Sequence, residues 1–361
     1  MIAAAKNRRK KPAKKRPKNP RSKPSPSPSP TQARRTRLLA LLATGEFHSG
    51  ERLAKRLRIS RGGIWKLIRS LQAMGVNIES VPRQGYRLPR AVDLLDRNAI
   101  LAEMSPETRE RLQPLDVLLT VDSTNRYVAE HAANPPGTTH VCAAEIQNAG
   151  RGRRGRSWVA PFGCGICMSL GWQFVEAPPT FSALSLAVGV AAVHAFQRLG
   201  IEGVGLKWPN DLIWQQRKLG GILIEMRGES AGPAQVVIGI GINMRMPASA
   251  RLMLAEQQAA LISDVHEIMR DRTPPRNAVI AILVEEVTRM LQTFGTKGFE
   301  PFADEWHKLD TLADAQVRVM SGAETTFGRA RGVDVDGTLL VDVDGELRRF
   351  ASGEVSLRAA R

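Results

Sequence analysis

Apolar residues recur at helical spacing in three short segments that follow residue 36. The three stripes consist of Leu38, Leu41 and Leu42, then Leu53, Leu57 and Ile59, then Ile64, Leu67, Ile68, Leu71 and Met74. This spacing predicts three helices, and Ser60 is a good N-cap for the third. The following "NIESVPRQGYRLP" predicts two strands joined at residues 82–85. Residues 36–90 are therefore predicted to form a winged helix-turn-helix domain.

The pattern changes after residues 91–113, which we expect to form a helical linker. Between residues 114 and 312, short apolar runs typical of strands alternate with longer segments of helical periodicity. The strand-like runs are "LDVLLTV", "HVCAAEIQ", "ICMSLGWQF", "GGILIEM" and "QVVIGIGINM", and the helical segments are "FSALSLAVGVAAVHAFQRLG" and "NAVIAILVEEVTRMLQTFG". This alternation predicts a central domain of mixed α/β structure.

Two Asp-Gly pairs predict hairpin turns in residues 313–361. Asp336-Gly337 and Asp344-Gly345 are eight residues apart, which predicts a small β-meander closing into a barrel. The segment lacks the ligand ladder and distal glutamate of a calcium loop. The whole chain is therefore predicted to be an α+β protein.

The net charge of +17 is concentrated in the first quarter of the 361 residues. Residues 1–35 contain 13 lysines and arginines and no acid, residues 36–90 contain 11 against 3 acids, and the remainder contains 28 against 32. The first quarter therefore favours a polyanionic partner. Residues 1–35 predict a disordered basic tail, which serves as a tether, a targeting signal or a nonspecific nucleic-acid arm.

The cysteines Cys142, Cys164 and Cys167 form no disulfide framework, which favours a reducing, cytoplasmic location. Cys164 and Cys167 are predicted to lie in one strand, where positions three apart point to opposite faces and cannot bind one metal ion. We interpret both as packing residues. We expect no signal peptide, no apolar run that approaches a membrane span and no membrane partner.

Basic residues lie on the outer face of the third predicted helix and on the hairpin. Arg61, Lys66 and Arg69 lie opposite the apolar stripe, and Arg83 lies at the hairpin turn. With Ser60 at the helix start, these residues would meet DNA across a major groove. The alternative is a solvated face of a protein-binding domain, but the local net charge of +8 favours DNA.

The segment "GRGRRG" at residues 150–155 has the glycine spacing of a dinucleotide-binding turn. That turn needs a helix after it, whereas the following "SWVAPFGCGIC" contains a proline and two glycines, and no acidic residue follows at the ribose position. We interpret the segment as a glycine-rich loop whose arginines need an anion. The loop is predicted to be disordered without its ligand. The alternative is a basic surface loop with no ligand.

A second cluster, "KWPNDLIWQQRKLGGILIE", spans residues 207–225. Pro209 is predicted to break a strand so that Asn210 and Asp211 lie in a turn, and Lys218 is predicted at the tip of the next hairpin. Glycines after a lysine let a phosphate or carboxylate approach the backbone. No Walker A or HExxH motif is present, and "GESAG" at residues 228–232 has the GxSxG spacing but precedes a strand-like run and not a helix, so no nucleophile elbow is predicted. A P-loop site and common hydrolase sites are therefore excluded.

Five motifs of the chain together resemble those of biotin protein ligases. They are "DSTN" at 122–125, "QNAGRGRRGRSW" at 147–158, "KWPND" at 207–211, "RKLGGILIE" at 217–225 and "GIGINM" at 239–244. The added helix-turn-helix makes the chain similar to the bifunctional bacterial form, which also represses the biotin operon. The resemblance spans about residues 36–358. It implies a class II aminoacyl-tRNA synthetase-like ligase domain of the biotin/lipoate type and a C-terminal Src-homology-3-like barrel.

The resemblance also implies a reaction. Biotin and ATP, with Mg²⁺, form biotinyl-5'-adenylate, and biotin then passes to a lysine of the biotin carboxyl carrier protein of acetyl-CoA carboxylase. In the repressor form, the adenylate is the corepressor, and the adenylate-bound homodimer binds operator DNA.

The resemblance assigns roles to the matching positions. It implies catalysis for Lys218, Arg153 and Asp211, biotin binding for Ser123, Thr124, Gln147, Gly150, Arg151, Arg153, Lys218 and Gly221, and ATP or adenylate binding for Arg156, Trp158, Asn210 and Asn243. Trp158 would stack near the adenine, and Asp211 would orient or deprotonate the incoming lysine. No residue is implied as a metal ligand.

The third predicted helix departs from the family pattern. Gly62 and Gly63 each weaken it by roughly 1 kcal/mol relative to alanine, and Trp65 places a bulky group where bases would be read. DNA binding is therefore less well supported than catalysis. Two other functions stay open, a biotin-sensing regulator without catalysis and a lipoate-type ligase. Intact "KWPND" and Lys218 argue against the first, and the arginine-dense loop and helix-turn-helix argue against the second.

Overall fold

The computed structural model describes residues 29–131, 135–176, 178, 180–227, 233–258, 261–321, 324–351 and 355–359, so residues 1–28 of the predicted tail lie outside it. The N-terminal domain contains α1 (Pro30–Leu42), α2 (Gly50–Leu57), α3 (Arg61–Ala73), β1 (Glu79–Val81) and β2 (Gly85–Arg87). β1 and β2 pair as an antiparallel hairpin. The Ser60 hydroxyl caps α3 by accepting a hydrogen bond from the Gly63 N–H at 3.1 Å. The predicted winged helix-turn-helix is confirmed.

Helix α1 begins at Pro30, earlier than the predicted start near Thr36. Ser29 and Gln32 form a capping box, in which the Ser29 hydroxyl accepts from the Gln32 N–H at 3.2 Å and the Gln32 side chain accepts from the Ser29 N–H at 3.0 Å. Proline suits the first helical position, where no N–H donor is needed. The Ser-Pro-x-Gln pattern signals this cap, whereas the basic composition of residues 1–35 favours a tail that continues to residue 35.

The linker contains two short helices where one was predicted. They are α4 (Arg97–Glu103) and α5 (Pro106–Arg111). Pro106 cannot continue a helix from α4, and Ser105 caps a new helix there. Residues 91–96 are not helical.

Buried polar contacts attach the linker to the central domain. The Leu95 N–H donates to Glu145 Oε1 at 2.6 Å, and Glu145 forms a buried ion pair with Arg276 at 2.8 Å. The Arg276 Nε–H also donates to the Asp93 carbonyl at 3.0 Å. Because a buried charge without its partner is costly, these contacts hold the winged domain against the central domain.

A seven-stranded sheet forms the centre of the protein, in the order β3-β4-β5-β9-β8-β7-β6. Its strands are β3 (Leu112–Val121), β4 (Thr139–Gln147), β5 (Gly165–Phe174), β6 (Gly205–Lys207), β7 (Asp211–Trp214), β8 (Arg217–Arg227) and β9 (Ala234–Asn243). β3 and β4 are parallel, and the other pairs among these described strands are antiparallel. The five predicted strands are all present, and the mixed sheet is confirmed.

Helices cover this sheet and complete its apolar core. They are α6 (Thr124–His131), α7 (Leu184–Arg198), α8 (Ala248–Gln258), α9 (Val265–Met269), α10 (Arg276–Lys297) and α11 (Glu300–Leu309). α7 packs against α10, and both contact the sheet. Phe196 and Phe294 are fully buried in this core.

One described segment, Phe181–Arg198, is long and apolar enough to cross a membrane by composition. The expectation that no apolar run approaches a membrane span is therefore corrected. The segment contains α7, and 67% of it is buried inside the protein. A helix that is apolar around its circumference is also what a central core position requires.

The C-terminal domain is an antiparallel sheet of five strands, in the order β13-β12-β11-β10-β14. They are β10 (Gln316–Ser321), β11 (Glu324–Val333), β12 (Leu339–Val343), β13 (Glu346–Phe350) and β14 (Val355–Ala359). Both Asp-Gly pairs lie in hairpin turns, so the predicted meander is confirmed. Within the described residues, the outer strands β13 and β14 do not pair with each other, so backbone hydrogen bonds do not close the predicted barrel.

The first Asp-Gly turn docks on the central domain. The Trp208 indole N–H donates to the Gly337 carbonyl at 3.1 Å, and Trp208 is only 2% exposed. The Ser182 hydroxyl donates to the neighbouring Asp336 carbonyl at 2.5 Å. These contacts hold the C-terminal domain beside the segment that follows Trp208.

Loss of the indole donor should destabilise the protein. In Trp208→Phe the buried Gly337 carbonyl loses its partner and the smaller ring leaves a cavity, so we expect a loss of about 1–4 kcal/mol. Urea unfolding measures this difference. Trp65→Phe is the control, because Trp65 is 55% exposed and should change stability by less than about 0.5 kcal/mol. Equal unfolding midpoints for both variants would contradict the docking contact.

Candidate active site

A cavity lies between the N-terminus of α6, strands β8 and β9, and residues 150–158, here called the arginine loop. The implied site residues that line it are Ser123, Thr124, Gln147, Arg151, Arg153, Arg156, Trp158, Asn210, Asp211, Lys218 and Gly221. The C-terminal domain contributes Leu357. Motifs that are far apart in the sequence therefore form one site.

The backbone of the arginine loop is closed by its own hydrogen bonds. The Trp158 N–H donates to the Gly150 carbonyl at 2.9 Å, and the Gly152 N–H donates to the Arg156 carbonyl at 2.6 Å. A β-carbon at Gly150 would overlap the Trp158 carbonyl, so this closure requires glycine. Arg154 lies at the tip in a left-handed conformation, with φ of 57°. The disorder of the loop without a ligand stays a prediction.

Arg153 brings positive charge into the cavity. Its Nη1 lies 3.5 Å from Asn210 Oδ1. Burial lowers the pKa of Arg153; the Asp211 carboxylate opposes this shift, and the neighbouring Arg156 and Arg154 add to it. Arginine still keeps its proton at neutral pH, so an anion in this cavity would reduce the electrostatic repulsion among the guanidinium groups of Arg153, Arg154 and Arg156.

Arg151 attaches the start of the loop to β8. Its guanidinium binds the Glu225 carboxylate through two contacts, at 3.0 Å and 3.1 Å, an arrangement that restricts orientation more than one bond does. Glu225 Oε2 also accepts a hydrogen bond from Asn125 Nδ2 at 2.8 Å. Neither Glu225 nor Asn125 was among the predicted site residues, although Asn125 belongs to the "DSTN" motif.

A buried polar network supports the other wall of the cavity. The Ser169 hydroxyl on β5 lies 2.7 Å from Thr124 Oγ1 and 2.6 Å from Asn125 Oδ1. The Thr124 N–H donates to Gln147 Oε1 at 2.8 Å. A network whose members are hydrogen-bonded holds its side chains in one arrangement. Sequence reasoning missed Ser169 because it lies in an apolar strand and outside every motif.

A β-bulge positions Lys218. Ile213 on β7 pairs with Lys218 on β8, whereas Leu212 pairs with Gly220, so β8 contains one extra residue between them. A bulge of this kind redirects a side chain. Lys218 therefore lies within β8 and not at the predicted hairpin tip, which residues 215–216 form.

Lys218 and Asp211 form an ion pair inside the cavity, with Nζ 2.6 Å from Oδ1. Asn210 lies in the predicted turn, whereas Asp211 begins β7. The Asn210 Nδ2 donates to the Ile222 carbonyl at 2.5 Å, which fixes this turn against β8. The ammonium also lies 6.0 Å from the centre of the Trp158 ring. The site thus holds a lysine, an aspartate and an aromatic ring within reach of one ligand.

Two glycines of β9 give the cavity its shape. A β-carbon at Gly241 would overlap the Trp158 ring, and one at Gly239 would overlap Asn125 Oδ1. Both positions therefore require glycine for close approach. Sequence reasoning used the "GIGINM" motif but did not assign these glycines to the site, because they bear no chemical group.

Two implied residues, Gly150 and Asn243, do not line the cavity. Gly150 lies at the base of the arginine loop. Asn243 is 3% exposed, and its Nδ2 donates to the Lys218 carbonyl at 3.2 Å and to the Ser263 carbonyl at 3.1 Å. Its Nδ2 therefore supports the backbone of Lys218, and the implied contact of Asn243 with the nucleotide stays a prediction.

The cysteines near the cavity are buried thiols. Cys167 on β5 lines the cavity, whereas Cys164 precedes that strand, so the predicted strand alternation does not apply to Cys164. Burial raises the pKa of Cys167 to about 11, and the nearby Trp158 and Gln147 side chains partly oppose this shift. Cys167 is therefore a neutral thiol at physiological pH. Among the described residues, no group of three His, Cys, Asp or Glu side chains could hold a metal ion.

The predicted DNA-binding residues lie together on the winged domain. Arg61, Lys66 and Arg69 are exposed on α3, and Arg83 is exposed at the wing turn. The Ser60 hydroxyl is engaged as the α3 cap. These residues form a basic surface separate from the cavity.

Comparison with known proteins assigns each domain. The model of the biotin/lipoate A/B protein ligase family matches residues 117–243, that of the HTH domain matches 34–87, and that of the biotin protein ligase C terminal domain matches 315–358. The bifunctional ligase/repressor BirA of Escherichia coli is 38% identical over 329 residues, which cover 90% of this chain and 97% of that protein. The chain belongs to the biotin protein ligase family.

Other members agree with this assignment. BirA of Bacillus subtilis is 30% identical over 318 residues, covering 87% of this biotin protein ligase and 95% of that protein. The solved biotin protein ligase from Aquifex aeolicus, in complex with biotin and ATP, aligns with a TM-score of 0.58 and 25% identity, covering 69% of this chain and all of that chain. The present ligase has the domain organisation of the bifunctional relatives.

The contact between Trp158 and Gly241 can be tested by adding one methyl group. In Gly241→Ala the Trp158 ring must leave β9, because a close-packed interior cannot absorb the overlap. We expect a changed tryptophan emission and at least about tenfold weaker binding of biotin with ATP, about 1.4 kcal/mol. Fluorescence and calorimetric titration measure these effects.

Gly50→Ala is the control, because a β-carbon there lies 3.5 Å from Tyr86, an ordinary contact. It should leave emission and affinity unchanged. Wild-type emission and affinity in Gly241→Ala would show that the ring does not depend on this glycine.

Proposed function

We propose that this biotin protein ligase joins biotin and ATP into biotinyl-5'-adenylate, releasing pyrophosphate, and then transfers biotin to a lysine of a biotin carboxyl carrier protein. The observation that carries the proposal is that Arg153 and Lys218 line one cavity under the arginine loop. The similar ligase from Aquifex aeolicus was solved with biotin and ATP, which supports the choice of substrates.

The first step brings a carboxylate to a phosphate. Two negative charges at roughly 4 Å, with an effective dielectric constant of about 20, repel by about 4 kcal/mol, or about a thousandfold in rate. Cations that are already in position offset this repulsion without reorganising. Lys218 lies at the bulge and Arg153 lies near Asn210, which supports the proposal that these two cations bind the reacting oxygens.

Mg²⁺ belongs to the proposal as the partner of ATP. The described residues contain no cluster of three metal-binding side chains, whereas Mg²⁺ commonly binds substrate phosphates, waters and one or two carboxylates. Asp211 is a carboxylate on the cavity wall. These donors fit a metal that arrives with the nucleotide, where it would neutralise phosphate charge.

In the second step the carrier amine attacks the acyl carbonyl, the bond to AMP breaks, and the amine loses a proton. We assign the orientation of this amine to Asp211. In the structure Asp211 pairs with Lys218, so a ligand anion that attracts the ammonium would free the carboxylate to accept a hydrogen bond from the amine.

Carrier biotinylation tests the ligase function. With biotin, MgATP and an unmodified carrier domain, the wild-type protein should release pyrophosphate and add one biotin to the carrier, as seen by mass spectrometry. Lys218→Gln should slow adenylate formation by about a hundredfold to a thousandfold, whereas Lys308→Gln, on the exposed surface of α11, should not. Biotin binding without pyrophosphate release would overturn the ligase and favour the sensor, and equal transfer of lipoate would favour the lipoate-type ligase.

Closure of the arginine loop should retain the adenylate and keep water away from the reactive mixed anhydride. In Arg153→Gly we expect adenylate to leak and to biotinylate lysines of bystander proteins. Arg154→Gly is a matched control, because it removes the same charge at an exposed position whose left-handed φ suits glycine. Filter retention of labelled adenylate and bystander labelling provide the measurements. Equal retention in both variants would refute the role of Arg153.

We include transcriptional repression in the proposal, with the adenylate as corepressor, a homodimer as the DNA-binding form and a cytoplasmic location. The exposed cations of α3 and the wing support DNA as a partner. β3 is a ten-residue strand at the edge of the central sheet, and such an edge offers backbone groups to a second subunit. Loop ordering at the cavity would then link metabolite binding to DNA affinity.

A further inference from the structure

Two adjacent glycines lie in the first turn of α3, where no contact or backbone angle among the described residues requires them. A β-carbon at Gly62 would meet only Ser60 Oγ, at 3.9 Å, and one at Gly63 would meet Ile59 and Ser60 at 3.4 Å or more. Neither residue has a positive φ. Glycine is among the least favourable residues for a helix, so its cost at these positions is not offset by packing within the described structure.

Trp65 lies on the same exposed side of α3. All six tryptophans of the chain are described, and Trp65 alone among them is exposed, at 55%. The Trp65 ring has a described contact with Arg69, whose guanidinium carbon lies 6.0 Å from the ring centre. A single exposed apolar ring does not by itself require a partner, but a tryptophan flanked by cations offers an apolar surface of the kind that is enriched at interfaces.

The surroundings of the ring identify the chemistry of that partner. Arg61, Trp65 and Arg69 are spaced four residues apart and therefore follow one line along the helix, with Lys66 beside them. All four are exposed. A partner that contacts this line must carry negative charge around a site that accepts an aromatic ring. A DNA groove meets this requirement better than an acidic protein surface, because phosphates flank the bases on both sides.

We propose that Trp65 is a specificity-determining residue that packs on the methyl group of a thymine in the major groove, and that Gly62 and Gly63 leave room for the helix to enter the groove closely. Thymine alone among the four bases presents a methyl group there, and apolar side chains recognise it. The inference rests on the proposed DNA binding and deepens it. It adds that each half-site contains a thymine opposite Trp65.

Selection from a random pool of DNA duplexes tests this inference, using the full chain with biotin and MgATP. The wild-type protein should enrich a motif with an invariant thymine, and Trp65→Ala should lose the preference at that position while keeping the rest. Replacing that thymine by uracil removes only the methyl group. It should weaken wild-type binding by about threefold to tenfold and leave Trp65→Ala unaffected.

Two further variants separate base reading from charge and folding. Gly62→Ala should unfold at the same or a higher temperature than the wild type but bind the selected duplex about tenfold more weakly, whereas Gly50→Ala, in α2 of the same domain, should bind normally. Lys66→Ala should lower the salt dependence of binding, and Trp65→Ala should leave that slope unchanged.

The outcomes distinguish the inference from the function on which it rests. If the wild-type protein enriches no motif, DNA binding and the inference both fail. If it enriches a motif that Trp65→Ala reads equally well, with the same tolerance of uracil, the role of Trp65 fails while DNA binding stands.

Discussion

The contact between the Trp158 ring and the bare backbone of Gly241 is the constraint on which the site depends. Any side chain at Gly241 would occupy the space of the ring, so the arginine loop reaches the cavity only because β9 has glycine there. The same loop places Arg153 beside Asn210. Gly241, which has no functional group, therefore determines both where the Arg153 charge lies and how the arginine loop covers the cavity.

Lys218 shows how backbone geometry prepares the chemistry. The bulge in β8 turns its side chain toward Asp211, and the buried Asn243 amide holds its carbonyl. Fixed charge is more effective than mobile charge, because it does not have to reorganise when a negative ligand arrives. The bulge and the Asn243 amide, which are uncharged, thus hold the Lys218 cation in position. Losing either of them would affect the reaction although neither needs to contact the substrate.

Both terminal domains contact the surroundings of the site. Arg90, at the end of the winged domain, donates to the carbonyls of Gly163 and Arg245 at 3.3 Å each, and these flank the strands that line the cavity. On the other side, the Gly337 carbonyl binds Trp208, which precedes the turn with Asn210. The winged domain and the C-terminal sheet are therefore both attached to the central domain near the cavity, and the linker is fixed at the end that follows Arg90.

Local pattern was enough to predict the winged domain with its Ser60 cap, the two longest helices and five strands of the central domain, and the Asp-Gly turns of the C-terminal sheet, because periodicity and capping depend on near neighbours. It placed the start of α1 too late and merged two linker helices, since charge and composition obscured the caps at Ser29 and Ser105. The overlap that excludes a side chain at Gly241 and the contact of Asn243 with the Lys218 carbonyl arise between residues distant in the chain, and the bulge that turns Lys218 depends on how β8 pairs with β7. Only the folded sheet brings those residues together, so no local pattern could have revealed them.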